Sequence, residues 1–238
     1  MKFCVLTSGG DYGFKIATML REEKIKPHIV LVKTHIMSRD IGRYFRFRTV
    51  GPTVIGGKLN SDYMVETIRK INPHYILLDA PGILKQNIIE TARIGVVNSH
   101  PGLLPWFRNV GVVGRSLIAG CPVGATLHFV DDGIDTGPML LRELLPIHPE
   151  WSLKDIEQEA NNLSLDLLID FAVAAERHRN VIPKAHPQPI GVGKKYTWLS
   201  EDERTLLDYK IRTENCASEI YAKNLNKSWW RLPYDTSS

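Results

Sequence analysis

The sequence is poor in cysteine, and the cysteines it has are not grouped. Only three occur among 238 residues, Cys4, Cys121 and Cys216. An odd number of widely spaced cysteines argues against a disulfide framework and favours reduced thiols in a cytoplasmic protein. No grouping of cysteine, histidine and carboxylate side chains has the spacing of metal ligands, so we expect no bound metal.

Long apolar runs and a strong charge of one sign are also missing. No apolar run approaches the roughly 20 residues that a membrane-spanning helix needs, so we expect no transmembrane segment and no membrane partner. The first apolar run is too short to predict a signal peptide. The formal net charge is only +4. A nucleic-acid-binding protein concentrates basic charge, so we do not expect a nucleic-acid partner.

What the sequence does contain is the alternation typical of an α/β protein. It is 43% apolar and 24% charged, which is ordinary for a globular chain. Short apolar runs alternate with segments of helical periodicity, which predicts a three-layer fold around a mostly parallel, Rossmann-like sheet. Strands are predicted at 3–7, 28–32, 51–55, 75–79, 94–99, 123–130 and 139–147, and helices at 12–23, 61–71, 110–119 and 152–178. Ser61 and Ser152 are the predicted N-caps of two of these helices.

The character of the chain changes near residue 180. We expect one domain over residues 1–180, followed by a linker and short C-terminal extension over 181–238, because so short a segment is too small for a second core. Proline and glycine mark the linker, and 200–224 predict a short polar helix. The adjacent Trp229 and Trp230 favour packing, including a dimer interface, over stacking on a base. The sequence therefore leaves open whether the protein forms a homodimer.

A glycine-rich turn at 7–13, TSGGDYG, follows the first strand and opens the first helix. Such a turn offers helix N-terminal amides to an anion. However, Ser8 stands where the dinucleotide fingerprint needs its first glycine, and Lys33 stands where it needs an acid, so a nicotinamide cofactor is not expected. Two interpretations remain: a tight turn without a ligand, or an anionic or sugar-phosphate group of a substrate bound near Ser8, Gly9 and Gly10.

A basic stretch follows in SRDIGRYFRFR. Arg39, Arg43 and Arg46 would share one face of a helix, and Arg48 lies just beyond them. A solvated basic face is the simpler interpretation of these four side chains. The alternative is that they recruit a phosphorylated substrate, and the sequence does not decide whether they touch one.

The segment VVNSHPGLLPWFRN, residues 96–109, carries the clearest chemistry. Asn98 and His100 end a predicted strand, and open α/β sheets bind ligands at the carboxyl ends of their strands. A second polar segment, DDGIDTGPM at 131–139, follows another strand, so its Asp135 is expected to meet them. Pro101 and the proline and glycine residues of both loops indicate fixed backbone rather than free loops.

These three side chains have assignable roles. The amide of Asn98 can donate to an oxyanion, and the imidazole of His100 can handle a proton near neutral pH. The carboxylate of Asp135 can orient the imidazole and favour its charged form. No serine or cysteine is placed as in a hydrolase nucleophile elbow. The residues therefore suggest acyl transfer directly between two bound substrates.

The segments NSHPGLLP and GATLHFVDDGIDTGPM strongly resemble the 10-formyltetrahydrofolate-dependent formyltransferases, over roughly residues 1–178. The resemblance implies the formyltransferase fold, 10-formyltetrahydrofolate as co-substrate, and Asn98, His100 and Asp135 as the catalytic trio. It also implies that the folate lies between residues 79–85 and 130–137. The residues then expected to hold the pterin ring are Ile83, Leu84, Val130, Asp131, Asp132, Gly133 and Ile134.

The resemblance leaves the acceptor amine open. Arg108 and Asn109 stand where many members have Arg-Gly, and the first glycine turn also departs from the purine-pathway pattern. Both positions lie on the acceptor side, so Ser8, Gly9, Gly10, Arg108 and Asn109 are expected to contact the acceptor. The layout is closest to the nucleotide-sugar N-formyltransferases, which favours a small-molecule acceptor, the amino group of a nucleotide-linked amino sugar. The alternatives are glycinamide ribonucleotide, methionyl-tRNA, hydrolysis of 10-formyltetrahydrofolate, and folate or nucleotide binding without turnover.

Overall fold

The structure, a computed structural model, describes residues 1–32, 38–179 and 183–225. Of residues 38–40 it describes the backbone and not the side chains. The expectations for Lys33, Trp229 and Trp230, and for the side chain of Arg39, therefore lie outside the described residues.

Among the described residues, a sheet of seven strands forms the centre of the fold, in the order β3-β2-β1-β4-β5-β7-β8. In chain order the strands are β1 (Phe3–Thr7), β2 (His28–Val32), β3 (Thr53–Gly57), β4 (Tyr75–Asp79), β5 (Gly95–His100), β6 (Phe107–Asn109), β7 (Gly124–Phe129), β8 (Met139–Leu144) and β9 (Lys194–Tyr196). The pairs from β3 through β5 are parallel, and β7 pairs with β8 antiparallel. The predicted α/β fold with a mostly parallel sheet is confirmed.

Helices follow most strands. They are α1 (Asp11–Glu22), α2 (Ser38–Arg48), α3 (Asp62–Ile71), α4 (Gln86–Ile89), α5 (Val112–Ile118), α6 (Leu153–Arg177), α7 (Glu201–Glu214) and α8 (Cys216–Asn224). Both predicted caps are confirmed. The Ser61 hydroxyl accepts from the amide of Met64, and the Ser152 hydroxyl accepts from that of Asp155. None of the helices within the described ranges has the length and apolarity to cross a bilayer.

Three local predictions differ from the structure. Residues 200–224 form two helices, because Asn215 between them takes a left-handed conformation with φ of 49°. The strand predicted over 139–147 ends at Leu144, shortly before Pro146, which cannot donate a ladder hydrogen bond. The proline- and glycine-rich stretch beyond residue 180 contains β9, which pairs in parallel with β6.

The chain divides into two compact units, and the first comprises Met1–Asn98, Phe129–Gly133 and Leu167–Ala185. All five residues of β1 are buried, as expected for a parallel strand covered on both faces. Leu6 and Ile76, on neighbouring strands β1 and β4, are fully buried in one apolar cluster with residues of α3 and α4.

The second unit comprises Ser99–His128, Ile134–Asp166 and the described residues from His186 onward. Its main apolar cluster joins residues of α5 and α6 to residues of α7 and α8, with Leu117 and Leu207 both buried. The described residues after 185 thus share a core with residues well before 180. The predicted boundary between 1–180 and 181–238 stays a prediction.

Candidate active site

His100 is the last residue of β5, and its side chain is only 5% exposed. Its Nε2 lies 2.8 Å from the carbonyl oxygen of Phe107, to which that N–H donates. Its Nδ1 lies 3.6 Å from Oδ2 of Asp135. Both ring nitrogens therefore face oxygen atoms of the protein.

Asp135 is held by its backbone and by its carboxylate. Its φ of 52° is left-handed, which is uncommon outside glycine. The amide of Asn109 donates to Oδ2 at 2.8 Å, and the carbonyl of Asp135 accepts from Gln188 at 2.9 Å and from Arg108 at 3.2 Å. These contacts fix a carboxylate that is mostly buried, and they place two of the predicted acceptor residues, Arg108 and Asn109, directly beside it.

A second histidine, His128, faces the same carboxylate. Its Nε2 lies 3.7 Å from Oδ1 of Asp135, and its side chain is buried. The distances of 3.6 and 3.7 Å are within ion-pair range and longer than normal hydrogen bonds. Sequence reasoning missed His128, which looked like one residue of the strand TLHFV; its period-two spacing from Thr126 was the available signal.

The loop between His100 and β6 is fixed by two buried side chains of the neighbouring strands. The Thr126 hydroxyl accepts from the amide of Leu104 at 3.0 Å and donates to the carbonyl of Gly102 at 2.7 Å. Arg142 donates to the carbonyl of Leu104 at 2.9 Å, and its guanidinium lies 4.9 Å from the ring centroid of Trp106. The backbone amide and carbonyl groups of this loop thus have hydrogen-bond partners on buried side chains. These bonds, in addition to the prolines, fix the conformation of the loop.

The far end of this loop is held by a distant segment. β6 pairs with β9, and the side-chain amide of Asn109 donates to the carbonyl of Tyr196 at 2.8 Å. A Cβ at Gly193 would lie 1.6 Å from the carbonyl oxygen of Pro105, so only glycine permits this approach. Residues 193–196 therefore pack against the end of the His100 loop and hold it in place.

Asn98 lies in β5 two positions before His100 and is half-buried. Because side chains alternate along a strand, Asn98 and His100 point to the same face of β5. In the part of the chain that the structure describes, no group of three or more His, Cys, Asp or Glu side chains is arranged to hold a metal ion.

Of the predicted folate residues, Leu84 and Val130 belong to one apolar cluster of the first unit. Leu84 is buried, Ile83 is 48% exposed, and the amide of Val130 donates to the carbonyl of Val96 at 2.8 Å. Asn60, which sequence reasoning missed, brackets this segment. Its Nδ2 donates to the carbonyl of Ile83, and its Oδ1 accepts from the amide of residue 85, each at 2.9 Å.

The remaining predicted folate residues form a turn after β7. The Asp131 carboxylate accepts from the amide of Gly133 at 3.1 Å, an Asx-type turn. Asp132 is exposed, and Ile134 is half-buried. Asp131, Asp132 and Gly133 belong to the first compact unit, whereas Ile134 belongs to the second.

The glycine turn after β1 is tied to the end of β4. The amide of Ser8 donates to the carbonyl of Asp79 at 3.0 Å, and that of Gly9 donates to the Thr7 hydroxyl at 2.9 Å. The Thr7 hydroxyl donates in turn to Oδ2 of Asp79 at 2.7 Å. Burial raises the pKa of Asp79 to about 6, although hydrogen bonds from Thr7 and the Gly13 amide lower it. Sequence reasoning included this carboxylate only as the first residue of the segment 79–85 expected beside the folate and gave it no role of its own.

Arg43, Arg46 and Arg48 of the basic stretch are exposed on α2. Arg46 forms an ion pair with Asp11 at 2.6 Å, and its guanidinium lies 3.9 Å from the ring centroid of Phe14. Arg48 donates to the Tyr44 hydroxyl at 3.2 Å. The proximity of Arg46 lowers the pKa of Asp11. These contacts show Arg46 engaged with the start of α1.

Comparison with known proteins places the chain. The formyl transferase family profile matches residues 1–171. The methionyl-tRNA formyltransferase of Syntrophus aciditrophicus is 35% identical over 117 residues, 48% of this chain and 38% of that protein. The match to the same enzyme of Thermodesulfovibrio yellowstonii covers 51% of its length. The chain thus matches about half or less of these curated relatives.

Solved structures share the fold at low identity. Glycinamide ribonucleotide transformylase 1 from Symbiobacterium toebii has a TM-score of 0.61 at 18% identity, covering 79% of this chain and 93% of that one. The formyltransferase PseJ from Anoxybacillus kamchatkensis, in complex with UDP-4,6-dideoxy-4-formamido-L-AltNAc and tetrahydrofolate, has a TM-score of 0.59 at 16% identity, covering 92% and 100%. With the profile match over most of its length, the chain belongs to the formyl transferase family.

Proposed function

We propose that the protein transfers a formyl group from 10-formyltetrahydrofolate to a primary amine. The observation that carries this proposal is the pairing of a buried imidazole at the end of β5 with a fixed carboxylate in the loop after β7, His100 Nδ1 and Asp135 Oδ2 at 3.6 Å. Family membership and folate-bound structural neighbours support the co-substrate.

In this proposal each residue has a separate task. As the acceptor nitrogen bonds to the formyl carbon, the carbonyl electrons move onto oxygen, and Asn98 donates an N–H to that oxygen. His100 places positive charge beside it. Asp135 holds His100 in orientation and helps to move a proton from the acceptor nitrogen toward N10 of the folate, whose bond to carbon then breaks. The products are the formamide and tetrahydrofolate.

We propose that the acceptor is the amino group of a nucleotide-linked amino sugar. Sugar formyltransferases recur among the structural neighbours, and one of them was solved with such a product. The modest net charge of +4 also favours an acceptor with few phosphates. Arg108, half-buried beside Asp135 and bonded to Gln188 at 2.8 Å, is the proposed contact for the acceptor with Asn109.

Methionyl-tRNA is the second candidate acceptor, because the first curated relatives are methionyl-tRNA formyltransferases. The two candidates differ in charge. A transfer RNA contacts many phosphates and gives a steep decrease of kcat/KM with salt, whereas a nucleotide sugar gives a shallow one.

The test is release of tetrahydrofolate from 10-formyltetrahydrofolate with no amine, with amino-sugar nucleotides, with glycinamide ribonucleotide, and with charged methionyl-tRNA. We expect release only with an amine, and the highest kcat/KM with an amino-sugar nucleotide. Release without any amine would identify a hydrolase, and no release would identify a binding protein. Formylation of transfer RNA that falls steeply with salt, without activity on any sugar nucleotide, would replace the proposed acceptor.

A further inference from the structure

We propose that Asp79 is a specificity-determining residue that closes the β1–α1 turn to phosphate. Its carboxylate stands where an anionic group would bind the start of α1, so the turn selects against acceptors that present a phosphate monoester there. This inference rests on the proposed function, because it excludes one class of acceptor, those with a phosphate monoester at this turn. Its test, however, is a binding measurement that needs no formyl transfer.

The carboxylate takes the place of an ordinary helix cap. The N-cap of α1 is Gly10, which has no side chain and makes no side-chain cap bond. The amide of Gly13, in the first turn of α1, is instead hydrogen-bonded to the Asp79 carboxylate from β4. The start of a helix favours one negative group, because its free amides and its dipole point there. Asp79 is such a group in the interior of the turn, and Asp11 is a second one at the exposed first position of the helix.

The two amides that precede Gly10 in the turn, those of Ser8 and Gly9, are also used within the chain. The amide of Ser8 donates to the Asp79 carbonyl and that of Gly9 to the Thr7 hydroxyl, which itself donates to the Asp79 carboxylate. A Cβ built at Gly13 would lie 2.1 Å from the Thr7 hydroxyl oxygen and 2.5 Å from Asp79 Oδ2. These groups are in close contact, which leaves no room for a phosphate between them.

The position of Asp79 makes this closure relevant to specificity. β1 and β4 are neighbours at the point where the strand order of the sheet reverses, since β2 and β3 extend on one side of β1 and β4 and β5 on the other. Open α/β sheets bind ligands at such a point, beyond the carboxyl ends of the strands. A phosphate arriving there would meet a negative carboxylate and the bonded amides of Ser8, Gly9 and Gly13.

Cationic side chains do lie close to the same helix start. Arg46 pairs with Asp11, and the charges of Arg43 and Lys15 also act on that carboxylate. They are exposed and surround Asp11, the first residue of α1, whereas Asp79 is bonded to Thr7 and Gly13 in the interior of the turn. A phosphate held by these cations would depend on Arg46 and not on the charge of Asp79.

The experiment measures binding of ribose 5-phosphate and of inorganic phosphate to the full chain by titration calorimetry at pH 8. Asp79→Asn keeps an acceptor oxygen for Thr7 and Gly13 but removes the charge. Asp62→Asn, at the exposed start of α3, is the matched control for net charge. We expect no saturable binding by the wild type or by Asp62→Asn, and at least a tenfold gain in affinity in Asp79→Asn.

Saturable binding by the wild type that Asp79→Asn weakens or leaves unchanged would overturn the proposal, as would the absence of any gain in Asp79→Asn. Wild-type binding that disappears in Arg46→Gln would assign the phosphate to α2 and overturn it as well. If Asp79→Asn does not fold, the smaller neutral variant Asp79→Ser replaces it and must show the same gain. Failure of formyl transfer in the separate activity assay would remove the proposed function and leave this binding result standing.

Discussion

Two half-buried carboxylates lie at or beyond strand ends of this protein, yet their surroundings are opposite. Asp79, the last residue of β4, is engaged by the Thr7 hydroxyl at 2.7 Å and by the Gly13 amide. Asp135, in the loop after β7, receives one backbone amide and faces two imidazole nitrogens at 3.6 and 3.7 Å, beyond hydrogen-bond distance. The Asp79 carboxylate is hydrogen-bonded within its turn. The two imidazoles that face Asp135 are not within hydrogen-bond distance of its carboxylate.

The difference shows that burial alone does not mark a reactive residue. The pKa of Asp79 is raised to about 6 by burial, a shift often found at functional sites. Its hydrogen-bond partners nevertheless assign it to the closed turn. Asp135 has different neighbours, two histidines at ion-pair distance and a backbone held by Asn109, Arg108 and Gln188, and these neighbours support its proposed role.

Removing either member of the reactive pair should have the largest effect. We expect His100→Ala and Asp135→Ala each to lower kcat by roughly 10²–10⁴-fold, because proton handling and charge at the oxyanion are lost. Circular dichroism should show an intact fold. The matched variant His128→Gln, which changes the other imidazole facing Asp135, should lose less than about tenfold. Near-normal turnover in His100→Ala with saturating substrates would refute the catalytic assignment.

Asn98→Ala should come next. Loss of one oxyanion donor costs on the order of 10²–10³-fold in kcat, and the KM for 10-formyltetrahydrofolate should change little. Steady-state kinetics at saturating acceptor separates the two parameters. A variant with a raised KM and normal kcat would show that Asn98 positions the ground state instead.

Thr126→Val tests whether the His100 loop depends on its buried hydroxyl. The change leaves the Leu104 amide and the Gly102 carbonyl without their partner, at a cost of roughly 2–6 kcal/mol of unfolding free energy for two buried groups. Urea denaturation measures this cost, and kcat should fall with it. Thr126→Ser keeps the hydroxyl and should recover most of both; equal losses in the two variants would point to the methyl group instead.

The smallest effect concerns the closed turn and its dependence on pH. The pKa of Asp79 is near 3.8 in an unfolded chain and about 6 in the fold. The folded state therefore binds the proton more tightly, and its stabilising contribution is present below pH 4 and lost as pH rises through 6. The loss is on the order of 3 kcal/mol. Asp79→Asn should remove this pH-dependent contribution. The difference in unfolding free energy between wild type and variant should therefore change between pH 4 and 7. A difference that stays constant over this range would contradict the shifted pKa.

The features that sequence predicted well are local. Strands β1, β2 and β4 occupy the predicted residues, and Ser61 caps α3, because apolar runs and cap residues act over a few positions. Asn98 and His100 sit in one short motif at a strand end, and their catalytic role stays a prediction. The structure then brings Asp135 to His100, as the order of strands and loops had suggested.

The features that sequence missed depend on distant partners. Asp79 looked like the polar end of YILLD, since its partner Thr7 lies 72 residues away. Arg142 is buried in β8 against the expectation for a charged residue, because the carbonyl of Leu104 and the ring of Trp106 receive its guanidinium. No periodicity or spacing carries such long-range information.

The pairing of β6 with β9 has a consequence for how the protein is made. The bond from Asn109 to Tyr196 joins residues 87 positions apart. At ribosomal rates of about 5–20 residues per second, roughly 4–17 seconds pass between synthesis of the His100 loop and of the strand that holds its far end. During that interval β5, which precedes the loop, has been synthesised, but β9, which pairs with β6 at the far end of the loop, has not. The loop around His100 thus acquires its last backbone partner late in translation.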